Sequence, residues 1–318
     1  MSMFFEQFGL AEMPFRLTPD DRYFYASEEH ARALSHLLFG LAQHEGFVVI
    51  TGEVGAGKTT VVERLMAELS PTSYRVVTVA TPSVGATGLL SLIAADFGVE
   101  RSADKADLIL GLRDVWRADR GRGRRALVIV DEAQGLSFDA LEELRMLSNL
   151  TDRGSALVQT VLLGQPEFRR ILASGELDQL RQRVLASYHL GPLRAEDVGT
   201  YIRHRLTRAG ATRTDLFDAA AIAAVARLTG GVPRLINRLC GRALLNAALE
   251  GEDRVTGPAI EAIAAELEAD LVNGAQPAPP AAMLPGGAAE RGDYAQMFRE
   301  GQNVVGRLIR RTRPADEG

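Results

Sequence analysis

A single cysteine, Cys240, stands in the 318 residues. It has no partner for an intramolecular disulfide, and its helical, apolar setting reads as a core position in a reducing compartment. Long apolar runs are missing too, since no stretch reaches the roughly 18 to 20 residues needed to span a bilayer. The opening MSMFFEQFGL has no basic segment and brings in Glu6 early, so it does not read as a secretory signal. There is no excess of positive charge. The formal net charge of −5 argues against a surface built as a phosphate-backbone footprint, and so against nucleic acid as the main partner. The five histidines show no metal-ligand spacing with Cys or acidic residues, and His189 reads as a packed or hydrogen-bonded strand residue. No serine or cysteine nucleophile constellation and no internal repeat is present. These absences leave a cytoplasmic protein as the expectation, and 46% apolar residues supply a sizeable core.

What is present centres on GEVGAGKT, Gly52 to Thr59, between the apolar run FVVIT and the helical pattern TVVERLMAEL. The spacing G-x-x-x-x-G-K-[ST] puts small residues where backbone N–H groups curl round phosphate oxygens, because a Cβ there blocks the approach. Gly52, Glu53, Val54, Gly55, Ala56, Gly57, Lys58, Thr59 and Thr60 are therefore the candidate nucleotide-binding residues. Lys58 offers a point charge to the β- and γ-phosphates and Thr59 a hydroxyl to Mg²⁺. The following helix aims its positive end at the same anion.

Around this loop the chain divides into five parts. Residues 1–46 form an aromatic- and proline-rich arm, expected to wrap the core, and a first helix capped by Ser27 and carrying Ala33, Leu34, Leu37, Leu38 and Leu41. Residues 47–192 alternate strands (FVVIT, YRVVTVA, ALVIVDEAQ, ALVQTVLLG from Ala156 to Gly164, and ASYHLGPL) with helices. This is the pattern of an α/β domain with a doubly wound parallel sheet. Residues 193–272 read as four helices, a small all-α second domain. Residues 273–291 are Pro-, Ala- and Gly-rich and read as a flexible linker. Residues 292–318 form an expected amphipathic tail helix, with Tyr294, Met297, Phe298, Val304, Val305, Leu308 and Ile309 on one side and Arg307, Arg310, Arg311 and Arg313 at its end.

An apolar strand ending in Asp131-Glu132 completes the chemistry. Asp131 is placed to hold the Mg²⁺ shell, and Glu132 to polarise the water that attacks the γ-phosphate. Together these residues predict Mg²⁺-dependent hydrolysis of ATP. The basic loop GRGRR (Gly121 to Arg125) is expected at the opposite end of the sheet, as a solvated connector or a polyanion contact.

The phosphate loop with strand-DEAQ, then LLGQPEF, QLRQRV and GGVPRLIN in a helical region, resembles AAA+ ATPases of the general secretion pathway protein A group. It is similar to their shorter relatives associated with exosortase (PEP-CTERM) and exopolysaccharide loci. The resemblance covers roughly residues 4 to 270, the helical region being the lid of such proteins. It implies that Gln165 is the sensor-1 residue that orients the attacking water, the alternative being a turn-forming Gln before Pro166. It implies that Arg234 is sensor 2, the alternative being a surface arginine. It also implies that Arg183 or Arg181 is an arginine finger acting on a neighbouring subunit of a homo-oligomer, the alternative being two solvated helix arginines. The arm is expected near the adenine, with Pro14, Phe15 and the Ser27 to His30 turn as candidates. Longer members of the group carry a membrane span and a peptidoglycan-binding region that are not seen here. The tail is then the expected contact, either with an envelope or polysaccharide-export partner or with anionic lipid at the inner membrane. Folding back on its own protein, or disorder, is the alternative. The competing functions are a DNA-dependent regulator of the transposition target-selection type, disfavoured by the acidic charge and the lack of a helix-turn-helix module, and a nucleotide-gated scaffold, disfavoured by Glu132.

Overall fold

A computed structural model describes residues 6–18, 20–80 and 84–274. Of the described residues, those up to 268 belong to one compact unit and 269–274 to a second. The tail helix and nearly all of the linker lie outside the described residues.

Two short 3-10 turns, Glu6–Phe8 and Asp21–Tyr23, shape the arm. Helix α1 (Glu28–Ala42), strand β1 (Phe47–Gly52), helix α2 (Lys58–Glu68), strand β2 (Tyr74–Val79) and helices α3 (Ala86–Asp96) and α4 (Lys105–Gly121) follow. Next come β3 (Arg125–Val130), α5 (Phe138–Leu147), a short hairpin of β4 (Thr151–Asp152) and β5 (Ser155–Ala156), and β6 (Val158–Gly164). Helices α6 (Pro166–Leu172) and α7 (Asp178–Arg181) and strand β7 (Val184–Leu190) complete the α/β part. Helices α8 (Ala195–Arg208), α9 (Ala219–Thr229), α10 (Pro233–Glu250) and α11 (Gly257–Gly274) make up the all-helical region, the part expected to be the lid and called so below. The helix α11 therefore takes in the first two residues of the expected linker.

The main sheet is parallel throughout, in the order β2-β3-β6-β1-β7. Strands β1 and β6 are buried along their whole length and β3 over all but its first residue, because both faces are covered. Phe47 and Val49 point into one apolar cluster with α3, α4 and α5, where Phe97 and Trp116 meet edge to face. Val48 and Ile50 point into the other, with α1 and α2. Ser27 caps α1 by accepting from the His30 N–H. Of the expected stripe on α1, Ala33, Leu37 and Leu41 are buried, whereas Leu38 is 40% exposed because the sheet covers a narrower face than the spacing allows.

Three details depart from the sequence reading. The strand expected from Ala156 to Gly164 begins at Val158. Its first residue instead pairs in the hairpin, whose tip, Arg153-Gly154, turns with two positive φ angles. The arm packs on the lid, not round the sheet: Phe8, Leu10, Phe15 and Tyr23 join the cluster of Val198, Ile202, Val225 and Ile236. An arm backbone bond, Ala11 N–H to Ala209 O at 2.8 Å, fixes it there. Cys240 lies at the centre of this cluster with no exposure, and burial pushes its thiol pKa up. The basic loop is shorter than expected, because α4 continues through Gly121. Arg124 and Arg75 both donate to the buried carboxylate of Asp119, and the loop edges a cavity of about 240 Å³ at the N-terminal ends of the strands.

The turn that sets the lid on the sheet is Gly230-Gly231, with φ of 55° and 79°. Leu193 N–H donates to Gly231 O at 2.9 Å, and a Cβ on Gly231 would fall 2.0 Å from Leu193 O. Nothing lies within 4 Å of a Cβ on Gly230. Gly231→Ala is therefore expected to cost about 3 kcal/mol, and Gly230→Ala about 1 kcal/mol from its positive φ alone. Urea unfolding of the two variants checks this; equal losses would remove the clash with Leu193 as the cause.

Candidate functional site

The loop between β1 and α2 is shaped by what presses on it. Gly52, Gly55 and Gly57 each sit where an added Cβ would strike another element: Leu190 O of β7 at 2.5 Å, the Arg234 Cβ at 2.4 Å and the His30 Nε2 at 2.6 Å. Gly55 and Gly57 also have φ of 83° and 102°, which L side chains avoid. The requirement for glycine therefore comes from the protein side of the loop as well as from its concave face.

Lys58 opens α2 and is only 6% exposed. Its ammonium donates to the loop's own carbonyls, Gly52 O at 2.7 Å and Glu53 O at 3.1 Å, which leaves one of its three N–H donors for a ligand. Burial pulls its pKa below the ordinary value, against the upward pull of Glu132, Asp131, Glu53 and Glu167. Thr59, in the first turn of α2, donates its hydroxyl to Asp131 Oδ2 at 3.0 Å. These are two hard oxygen donors, side by side at the end of β3. Among the described residues no group of three or more His, Cys, Asp or Glu side chains is placed to hold a metal ion.

Glu132 follows directly, with φ 55° and ψ 38°, a left-handed conformation that a non-glycine residue adopts only under constraint. Its own N–H donates to Asp131 Oδ1 at 2.8 Å. Its carboxylate accepts from Gln165 Nε2 at 2.9 Å and Gln134 Nε2 at 2.5 Å. Gln134 in turn accepts from the Gln165 backbone N–H at 2.9 Å, closing a ring of three side chains across adjacent strand ends. Burial raises the Glu132 pKa, but the bonds from Gln165 and Gln134 and the charge of Lys58 outweigh it, so the carboxyl stays below its usual range. The sequence reading assigned Gln165 and passed over Gln134; the signal available was its place in the DEAQ string, two residues after Glu132.

The lid reaches the loop through α10. Arg234 N–H donates to Gly55 O at 3.2 Å, while its exposed side chain makes no hydrogen bond or ion pair with a described residue. A cleft of about 280 Å³ runs from Lys58, Thr59, Thr60 and Glu132 past Arg234 to the arm, where Arg16, Thr18, Asp20, Tyr23, Tyr25 and His30 are among the wall residues. Pro14 and Phe15 stand behind that wall: Phe15 meets Phe217 edge to face, and Pro14 O accepts from Arg205 Nε at 2.6 Å.

Arg183 and Arg181 lie elsewhere. Arg183 O accepts from the N–H of Phe47, the first residue of β1, whereas the phosphate loop follows the last. A strand of this length, roughly 20 Å at about 3.3 Å per residue, separates them from the loop in their own chain. Arg183 donates to Ser148 Oγ at 3.4 Å, and Arg181 pairs with Asp178 at 2.7 Å and is half exposed. His189 is exposed on β7 and shares a hydrogen bond with Thr51 Oγ1 at 3.1 Å, so of the two expected roles it takes the hydrogen-bonded one. No described helix is long and apolar enough to cross a membrane.

A family model described as an AAA domain matches residues 41–172, which contain the loop, Asp131, Glu132 and Gln165. General secretion pathway protein A of Aeromonas hydrophila is 42% identical over 255 residues, 80% of this chain and 46% of the relative. The chain thus spans less than half the length of that relative. Among solved structures, the Aeropyrum pernix ORC2 protein in ADPNP–ADP complexes superposes with a TM-score of 0.58 at 16% identity, over 78% of this chain and 72% of that one. Cdc6p from Pyrobaculum aerophilum gives 0.59 at 16%, over 79% and 68%. The Thermotoga maritima RuvB Holliday junction branch migration motor gives 0.53 at 18%, over 80% and 74%. At these identities the structural likeness speaks for the fold alone. The sheet, the loop and the shared sequence agree: residues 41–172 carry an AAA domain, and the chain is related by sequence to general secretion pathway protein A.

Proposed function

We propose that this protein binds ATP with Mg²⁺ and hydrolyses it, and that it does so as a homo-oligomer serving an envelope secretion or exopolysaccharide-export system. The observation that carries the hydrolytic part is the Glu132 carboxylate, held by Gln165 and Gln134 beside the Thr59–Asp131 pair at the mouth of the phosphate loop.

The loop N–H groups and the N-terminal end of α2 take the phosphates, and Lys58 turns its remaining N–H donor toward the β- and γ-oxygens. Thr59 and Asp131 fit Mg²⁺, an ion that takes few protein oxygens and keeps its other positions for water and phosphate. Bound there, the ion supplies charge that neutralises the β- and γ-phosphate oxygens. Glu132, ionised at neutral pH, accepts a proton from the attacking water. Gln165 and Gln134 hold that carboxylate still. Arg234 stands on the first turn of α10, where closure of the lid brings its guanidinium to the γ-phosphate. Arg183, with Arg181 beside it, fits a finger presented to the site of a neighbouring copy. The relationship to general secretion pathway protein A supports the envelope assignment, and within it the exosortase-type locus stays a proposal that rests on sequence wording. Localisation is proposed as cytoplasmic, peripheral at the inner membrane. The DNA-dependent alternative draws only on fold likeness. It requires duplex DNA to raise ATP turnover in a salt-sensitive way.

Glu132→Gln should keep ATP binding and lower kcat by about 100-fold or more, the range that a general base contributes. Steady-state turnover with a parallel binding titration decides it, and unchanged turnover would refute the assigned base. Arg183→Ala should retain ATP affinity and lose turnover by about 1,000-fold if it is the finger. Mixing it with Glu132→Gln subunits should then recover part of the rate. Mixed oligomers that recover nothing count against a finger acting between subunits.

A further inference from the structure

His30 is a buried titratable side chain for which the proposed chemistry has no use. It lies in the first turn of α1, 6% exposed, on the wall of the cleft, with its ring against the phosphate loop. Ser27, itself 4% exposed, holds Nδ1 of the ring. Its Oγ accepts from the His30 backbone N–H at 3.2 Å and lies 2.6 Å from Nδ1. A hydroxyl with a second lone pair and a proton can serve Nδ1 in either tautomer, so the tautomer is set by what Nε2 faces. Nε2 is the atom that an added Cβ on Gly57 would meet at 2.6 Å, which sets it against the Ala56–Gly57 peptide, and the Ala56 backbone pulls the ring pKa up, as a carbonyl acceptor does. Phe24 packs edge-on against the other side, centroids 6.0 Å apart, so the ring has little freedom to leave.

The peptide joining Ala56 to Gly57 is trans, so its carbonyl and its N–H point in opposite directions. A donor that holds the carbonyl on one side fixes the N–H on the other. A phosphate loop works only when successive N–H groups face the anion together, and an uncommitted carbonyl would be free to rotate inward.

We infer that His30 is a positioning residue of the phosphate loop: its Nε2–H holds the Ala56 carbonyl and so aims the Gly57 N–H at the bound phosphate. This rests on the nucleotide-binding reading of the loop. The contribution is geometric, since the ring brings no charge. Burial holds the imidazole neutral, at a pKa of about 4, in spite of the Ala56 backbone and the nearby Glu29 carboxylate, which pull it up. The ligand group it serves is the phosphate of the nucleotide.

Two variants separate donation from packing. His30→Phe fills the space without a donor, and His30→Gln restores an N–H near the position of Nε2. Calorimetric titration of ADP and of adenosine, with KM and kcat for ATP, gives the readout. His30→Phe should weaken ADP about 10-fold, leave adenosine affinity in place and raise KM more than it lowers kcat, and His30→Gln should recover most of the loss. Equal affinities in the two variants, whether both intact or both weakened, would overturn donation to Ala56. Loss of adenosine and ADP binding alike would do the same. If His30→Phe does not fold, Ser27→Ala releases Nδ1 of the ring and should weaken ADP selectively; unaltered ADP affinity there also overturns the inference. Failure of the unaltered protein to bind ADP at all would instead sink the nucleotide reading, and this inference with it.

Discussion

The backbone from Gly52 to Gly57 is pinned from three sides, by Leu190 of β7, Arg234 of α10 and His30 of α1, at each place where a side chain would otherwise stand. This constraint is the one on which the rest of the molecule depends. A loop that must point its N–H groups inward gains nothing from its own short side chains. Its shape has to be imposed by neighbours that are themselves fixed. Strand β7 is fixed by its ladder with β1, α1 by its Ser27 cap and its buried stripe, and α10 by its place in the lid. The entropy of ordering the loop is thus largely met on folding, before any ligand arrives, which is how preorganisation raises affinity.

The lid can act as one of those neighbours because the arm ties it down. Arg205, 7% exposed and without a carboxylate partner among the described residues, donates to Pro14 O and to Tyr201 OH and lies over the Tyr23 ring at 4.6 Å. Tyr201 OH donates to Asn237 Oδ1 at 2.9 Å, and Asn237 Nδ2 donates to Arg16 O at 3.4 Å. A buried guanidinium is expensive unless each member of such a network is satisfied. The backbone of the arm supplies two of the acceptors, so removing the arm leaves a charge stranded under the lid. Asn237 lies one turn beyond Arg234 on α10. The arm is therefore linked to the phosphate loop through α10, by the Asn237–Arg16 and Arg234–Gly55 bonds.

Much of this was legible in the residues. The loop, the Asp131-Glu132 strand end and the α/β alternation each rest on local patterns of a few residues, and local patterns survive folding unchanged. The helical lid was equally plain from its spacing. The destination of the arm was hidden, because Phe8, Leu10 and Phe15 are apolar in any environment and nothing in their order says which surface they meet. The Arg153-Gly154 hairpin was overlooked in favour of one longer strand, since an apolar run conceals a turn that only its φ angles reveal. Gln134 and His30 illustrate a third kind of gap. Each works by holding another residue's polar group, and that pairing exists only once β3, β6 and α1 are brought to the same end of the sheet.

The direction of the sheet sets the last limit. In a parallel sheet every strand delivers its C-terminal end to the ligand and its N-terminal end away from it. Arg183 enters β7 and Phe47 enters β1 at the far side, held by the bond between their backbones. No rotation of side chains carries Arg183 to Lys58 of the same chain. Among the described residues of one chain, the cations beside the phosphate loop are Lys58, already sharing its ammonium with two carbonyls, and Arg234, whose side chain lines the same cleft; Arg16 and Arg205 line it from the arm side. On the proposed reading the charge that develops during hydrolysis exceeds what Lys58 and Arg234 can meet, and the deficit is what a second copy's arginine would supply. Turnover coupled to assembly would then be a consequence of strand polarity, because the arginine proposed to complete the site is built into the opposite end of the same sheet.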